Sequence, residues 1–135
     1  MALQYSVTVR NAQLDALETA VGASAILKIR SGSAPANCAA ADSGTVLATI
    51  NLPSDWMAAA SSGSKAKSGT WEDTSADATG TAAHWRLYAS DGTTCHAQGT
   101  ITATGGGGDM TLDNTSINSG QTVTVTSFTI SAGNA

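Results

Sequence analysis

The chain is short of charge, of aromatic side chains and of long apolar runs, and each shortage removes a class of function. Charged residues make up 12% of the sequence, about half the usual share. The formal net charge is −4, and the basic residues Arg10, Lys28, Arg30, Lys65, Lys67 and Arg86 are dispersed. A nucleic-acid partner needs a concentrated basic face to neutralise phosphates, so none is expected. No stretch approaches the roughly 18 to 20 consecutive apolar residues of a membrane span, and the first residues have neither the basic flank nor the apolar run of a signal peptide. The expectation is a product with no membrane partner that stays in the cytoplasm of the cell making it.

Aromatic residues reach only 4%, as Tyr5, Trp56, Trp71, Trp85, Tyr88 and Phe128. Strand packing usually leans on such residues, so an isolated core should be thin. A thin core under a weakly charged surface favours burial against neighbours, as a homo-oligomer or within a larger assembly. Two cysteines are present, Cys38 and Cys95, and neither belongs to a C-x-x-C pair, which argues against zinc and thioredoxin chemistry. They permit one disulfide; cytoplasmic synthesis favours free thiols when the chain is made, with oxidation after cell lysis left open.

With 135 residues, the chain supplies one core and is assigned one domain, 1–135. Val7, Leu14, Leu17 and Val21 recur at helical spacing, which predicts one N-terminal α-helix over about residues 5–21, with Ser6 or Asn11 as N-cap and Gly22 as the left-handed C-terminal cap. The period then changes to two. Ala25, Leu27 and Ile29, then Val46, Ala48, Ile50 and Leu52, mark strands with one buried face. From Pro53 to Gly69 the chain reads as loop, with a short helical turn at Trp56–Ala59.

Around Ser90-Asp91-Gly92 the apolar residues occupy odd positions on both sides. A two-residue loop would send the two sets to opposite faces. A three-residue loop with Gly92 left-handed instead pairs Leu87 with Cys95, Trp85 with Ala97 and Ala83 with Gly99, and turns His84, Arg86, Tyr88, His96 and Gln98 to the other face. A second hairpin is expected between 109–113 and 122–126, about a turn at 118–120. Near Ser127 the apolar phase shifts from odd to even, predicting a bulge or a change of strand partner. The terminal residues 132–135 should fray. The fold class expected is mainly β, an antiparallel β-sandwich or jelly-roll-like body with the one helix.

Chemistry is harder to find. Gly105–Gly108 lacks the Gly-Lys-Ser/Thr ending of a phosphate loop and reads as a flexible connection. His84 and His96 share a predicted face, but Arg86 opposite His96 would repel a cation and no third ligand is evident, so no metal or other cofactor is expected. Asp73 to Asp77 and Asp109 to Asp113 match no calcium-loop spacing and read as turn caps. There is no nucleophile elbow, and no enzymatic activity is expected. Trp56 and Trp71 read either as a lid over the core or as a sugar-stacking platform. The candidate contact surface is His84, Arg86, Tyr88, His96 and Gln98, together with Trp56 in the long loop.

Four stretches, Arg10–Glu18, Leu27–Ala36, Gly80–Thr94 and Asp113–Ile130, together resemble small structural proteins encoded in tailed-bacteriophage and prophage virion gene blocks. The resemblance covers most of the chain, rests on phrasing rather than a catalytic motif, and carries over no site residues. It implies a virion component made in the bacterial cytoplasm, with the major capsid protein or other virion proteins as partners. Capsid decoration or cementing is favoured because a compact chain without heptads or a repeated shaft suits a knob on a lattice, with the N-terminal helix, the hairpin face with Arg86 and Tyr88, and the long loop around Trp56 as the expected contact elements. The alternatives are a neck, tail or fibre-associated protein, and a host-recognition module binding surface polysaccharide.

Overall fold

The computed structural model describes residues 2–134. A 15-residue helix, α1 (Val7–Val21), precedes ten strands: β1 (Ile26–Ser31), β2 (Val46–Asn51), β3 (Ser64–Ala66), β4 (Trp71–Asp73), β5 (Gly80–Tyr88), β6 (Cys95–Ala103), β7 (Met110–Leu112), β8 (Ser116–Ile117), β9 (Val123–Val125) and β10 (Thr129–Ser131). A β-rich body with one N-terminal helix is what the change of period predicts. The Ser6 side chain accepts from the Val9 amide at 3.3 Å and caps the helix start, while Gly22 ends it at φ +87°, a conformation an L side chain adopts only at a cost.

The main sheet runs β2-β1-β5-β6-β7, with β8 pairing the start of β5; β3 with β10 and β4 with β9 form two separate ribbons. It is a mixed sheet, because β7 runs parallel to β6, with Ile101 beside Met110. The expected second hairpin does not form. β7 returns to β6, and β9 pairs β4 instead. Such a short parallel return depends on the glycine run. Gly105 and Gly107 take φ of +88° and +82°, and a Cβ on Gly106 or Gly108 would lie within 3.0 Å of Thr102 atoms. The Gly106 amide donates to Ala103 O and the Gly108 amide to Thr102 Oγ1, so the run is a tight reversal rather than a slack connection.

The change of apolar phase near Ser127 is a change of partner: β9 ends on β4, and β10 begins on β3. Strand β3 falls where a loop was expected and β4 follows just beyond it, where no strand was expected, and no helical turn forms at Trp56–Ala59; Met57 instead bridges Lys67. Their three-residue length leaves too few alternations for the period to register. The C-terminal residues 132–134 are tied down rather than frayed. Ala132 N donates to Gly63 O, and the Asn134 amide exchanges hydrogen bonds with the Tyr5 backbone at 2.8 and 3.1 Å; Ala135 lies outside the described residues.

One continuous apolar cluster joins the helix end at Val21, the sheet residues Leu27, Ile29, Ile50, Trp85, Leu87 and Ile101, the ribbon residues Trp71 and Val125, and Phe128 between β9 and β10. Scarce aromatics are concentrated where they connect layers. Phe128 lies 5.4 Å edge-on from Trp85 and 5.7 Å from Trp71, which lies 6.2 Å from Trp56. These separations fall within the range of favourable aromatic contacts. Among the described residues no helix is long and apolar enough to cross a membrane.

Candidate contact surfaces

The hairpin β5–β6 carries most of the residues expected at a surface, and its register decides where they point. Trp85 pairs Gly99 and Leu87 pairs Ala97, two residues further along β6 than expected. Parity is kept, so Trp85, Leu87, Ala97 and Ile101 do share the core side. Between Leu87–Ala97 and Tyr88–Cys95 the register shifts, leaving His96 as the extra residue of a bulge. The turn draws in more residues than expected because Asp91 accepts from the amides of Thr93 and Thr94 at 2.9 and 2.8 Å. Hydrogen bonds from Thr94, then Thr93, hold its carboxyl down to about 2. The bulge turns Cys95 away from its expected place beside Leu87 and sets it on the face of Arg86 and Tyr88.

That face is covered, which corrects the expected contact surface. Segment 32–44 folds over it and leaves His84, Arg86 and Tyr88 no more than 1% exposed. A centrally placed strand with polar residues on its second face must find them partners, and the segment supplies backbone carbonyls and one carboxylate. Arg86 Nη2 donates to Asn37 O, Cys38 O and Ala40 O at 3.1 to 3.2 Å, and Nη1 donates to Ala40 O and Asp42. Asp42 also accepts from Tyr88 Oη at 2.7 Å and from Arg30 Nη2 at 2.9 Å. His84 Nδ1 lies 2.7 Å from Gly32 O, and Gln98 Nε2 donates to Pro35 O at 2.6 Å. Five polar side chains of the sheet, with Asp42 of the segment, are therefore spent on closing the chain over itself.

The charges settle one another. Burial raises the Asp42 carboxyl, but the hydrogen bonds from Tyr88 and Arg86 and the charges of Arg30 and Arg86 outweigh it and hold the group below the usual carboxylate range. Burial and the bond to Asp42 push the Tyr88 phenol up to about 12. Burial and then the adjacent Cys38 thiol push Cys95 up to about 11. Both cysteines are free and partly exposed.

His96 remains exposed at the bulge, separated from buried His84, so the two do not form a shared site. Among the described residues no group of three or more His, Cys, Asp or Glu comes together as a metal site. Asp73 accepts from Ser75 N, a turn cap of the kind expected, but also from Thr49 N on β2, and Asp109 accepts from Thr100 N on β6, contacts that tie strands together rather than cap a turn. Trp56 and Trp71 are each 1% exposed, with their indole nitrogens donating to Gly22 O and Ser68 O at 3.1 Å. They are core residues, and neither offers a face for sugar stacking or contact.

A cleft of about 560 Å³ runs between α1 and the segment around Trp56. Lys65, buried in its wall, bonds Asp15, Glu18 and Ala58 O at 2.7, 2.9 and 2.9 Å. Burial opposes the lysine's charge, but the two carboxylates raise its pKa above the ordinary value. The same carboxylates accept from the amides of Met57 and Ala60, so this polar helix face fastens the chain to itself. Another groove, of about 460 Å³, lies beside Trp85, Gln98, Asp109 and Phe128.

Among the described residues, the large apolar side chains left exposed are Leu3, Tyr5, Val7 and Val9, at 70, 42, 46 and 42%. All four belong to the N-terminal segment and the first turn of α1. Of these four only Val7 belongs to the predicted helix stripe, and of that stripe only Leu14 and Val21 are buried. No protein-family model matches the chain, and neither a curated protein nor a solved structure matches it.

Proposed function

We propose that this chain is a non-enzymatic structural protein of a tailed-phage virion, and that it acts as a decoration or cement subunit gripping the capsid through its N-terminal segment. The observation that carries the proposal is the confinement of exposed large apolar residues to Leu3, Tyr5, Val7 and Val9. Together they offer on the order of 400 Å², well below the roughly 800 Å² per partner of a stable free complex. An apolar area of that size, spread over one segment, holds weakly as a single contact and firmly only as one of many on a repeated lattice, where it binds the assembled state and stabilises it by mass action. The resemblance of four sequence stretches to virion proteins agrees with such a role, and so does the use of the polar clusters for internal bonds rather than for a reaction site.

The test is the copy number of the chain in purified particles, by quantitative mass spectrometry against the major capsid protein. Hundreds of copies support the lattice role, while a few to a few tens move the protein to the neck, tail or fibres. Absence from particles overturns the proposal. Replacement of Leu3, Tyr5, Val7 and Val9 by Ser is expected to abolish incorporation with the melting temperature nearly unchanged; undiminished incorporation would remove the N-terminal segment from the contact.

A further inference from the structure

We infer that Cys38 and Cys95 constitute a disulfide-forming site, at which a small disulfide oxidant of the glutathione type closes a covalent clamp between segment 32–44 and β6. Two features bring the cysteines to one face. The bulge at His96 turns Cys95 onto the covered face, opposite Tyr88. Arg86, next but one to Tyr88 on that face, holds the Cys38 carbonyl at 3.1 Å and the neighbouring Asn37 and Ala40 carbonyls at similar distances. Segment 32–44 thereby carries Cys38 across the face on which Cys95 lies, the Cys95 thiol there donates to Ala97 O at 3.4 Å, and both residues keep partial access to solvent.

The chemistry balances with the oxidant named. One cysteine thiolate attacks the glutathione disulfide, forms a mixed disulfide and expels one glutathione thiolate. The second cysteine then attacks the protein sulfur of that mixed disulfide and expels the other. Two protein thiols lose two protons and two electrons, and the oxidant is reduced to two molecules of glutathione. Because hydrogen bonds already seat the segment, closure demands little movement of the folded chain, whereas the unfolded chain loses the freedom of the long stretch between the two cysteines. The bond should therefore raise the melting temperature on the order of 10 °C. The thiols are expected to persist in a reducing cytosol and to close where reductant is scarce. The inference does not rest on the virion proposal and can fail without it.

Purified chain equilibrated with oxidised glutathione should lose the mass of two hydrogens, stay monomeric on a non-reducing gel and yield a proteolytic peptide joining Cys38 to Cys95. Its melting temperature should rise, while a Cys38→Ser/Cys95→Ser chain shows no response. Each single serine variant should instead retain glutathione as a stable mixed disulfide on the remaining cysteine. Persistent glutathione on both thiols of the unsubstituted chain, covalent dimers, or an internal bond that lowers the melting temperature would overturn the inference.

Discussion

The two faces of the β5–β6 hairpin are both buried, by different physics. On the core face Trp85 and Leu87 meet Ile101 and Phe128 through shape and dispersion, and any apolar groups of suitable volume could serve. On the covered face Arg86, Tyr88 and Arg30 converge on Asp42, and only this geometry satisfies them. The first kind of burial is tolerant in its chemistry and resists removal of volume. The second is intolerant of losing a single partner, since a stranded buried charge costs more than the pair contributed. The covered face is also less completely served, because Arg30 Nε, Arg86 Nε, His84 Nε2 and Gln98 Oε1 are buried there with no partner among the described residues, against Trp85 Nε1 on the core face. Segment 32–44 should consequently open before the core does.

The largest effect is expected from Trp85→Ala. The indole is 6% exposed and packs against Gly99, where a Cβ would come within 2.8 Å of it. Its loss should cost about 3 to 5 kcal/mol and lower the urea midpoint of the whole chain in one transition. Equal protection of all strands in hydrogen exchange after the substitution would confirm a shared core; melting confined to the hairpin would break the comparison.

Asp42 tests the other face. Removing it in Asp42→Ala strands Arg30 and Arg86, but 39% of the Asp42 side chain is in water, so the cost should fall to about 2 to 3 kcal/mol. Faster hydrogen exchange in 32–44 with β1 and β6 still protected is the expected signature. Acid should mimic it. The folded pKa of Asp42 is depressed, so its contribution is complete above the ordinary carboxylate value and fades as pH falls through the lowered one. At the alkaline end the raised phenol of Tyr88 works the opposite way: its contribution holds below the ordinary phenol value and is lost as pH rises through about 12. Exchange in 32–44 that ignores both limits would show that Asp42 does not hold the segment.

The core face was legible from the sequence and the covered face was not. Odd-position apolar residues at 85, 87, 97 and 101 fix a shared face whatever the exact register, because a shift of two residues preserves parity. The same pattern suggested that His84, Arg86, Tyr88 and Gln98 meet solvent, since polar alternation looks alike whether water or a covering segment satisfies it. Asp42 gave no signal as their partner; it lies in a stretch of small residues without periodicity. A clue was present in Arg86 and Arg30, two of the six basic residues, both placed within strands that neighbour one another. The N-terminal helix was expected among the contact elements, but Leu3, Tyr5, Val7 and Val9 were not singled out, as helical spacing marks apolar positions without saying which of them find a partner.

The smallest effect is expected at His96, and it sharpens the comparison because this residue sits on the hairpin and belongs to neither face. Its side chain is exposed and it has no cross-strand partner. Substitution by Ala leaves the backbone bulge in place, so stability should change by no more than about 0.5 kcal/mol. Deleting the residue is a different perturbation, since the bulge must then close and Cys95 turns back toward Leu87. Thiol accessibility distinguishes the two: Cys95 in His96→Ala should react with a thiol reagent as in the unsubstituted chain. In the deletion variant it should be shielded and unable to join Cys38. If the substitution alone altered Cys95 in this way, the imidazole rather than the extra residue would be what sets the face on which Cys95 lies.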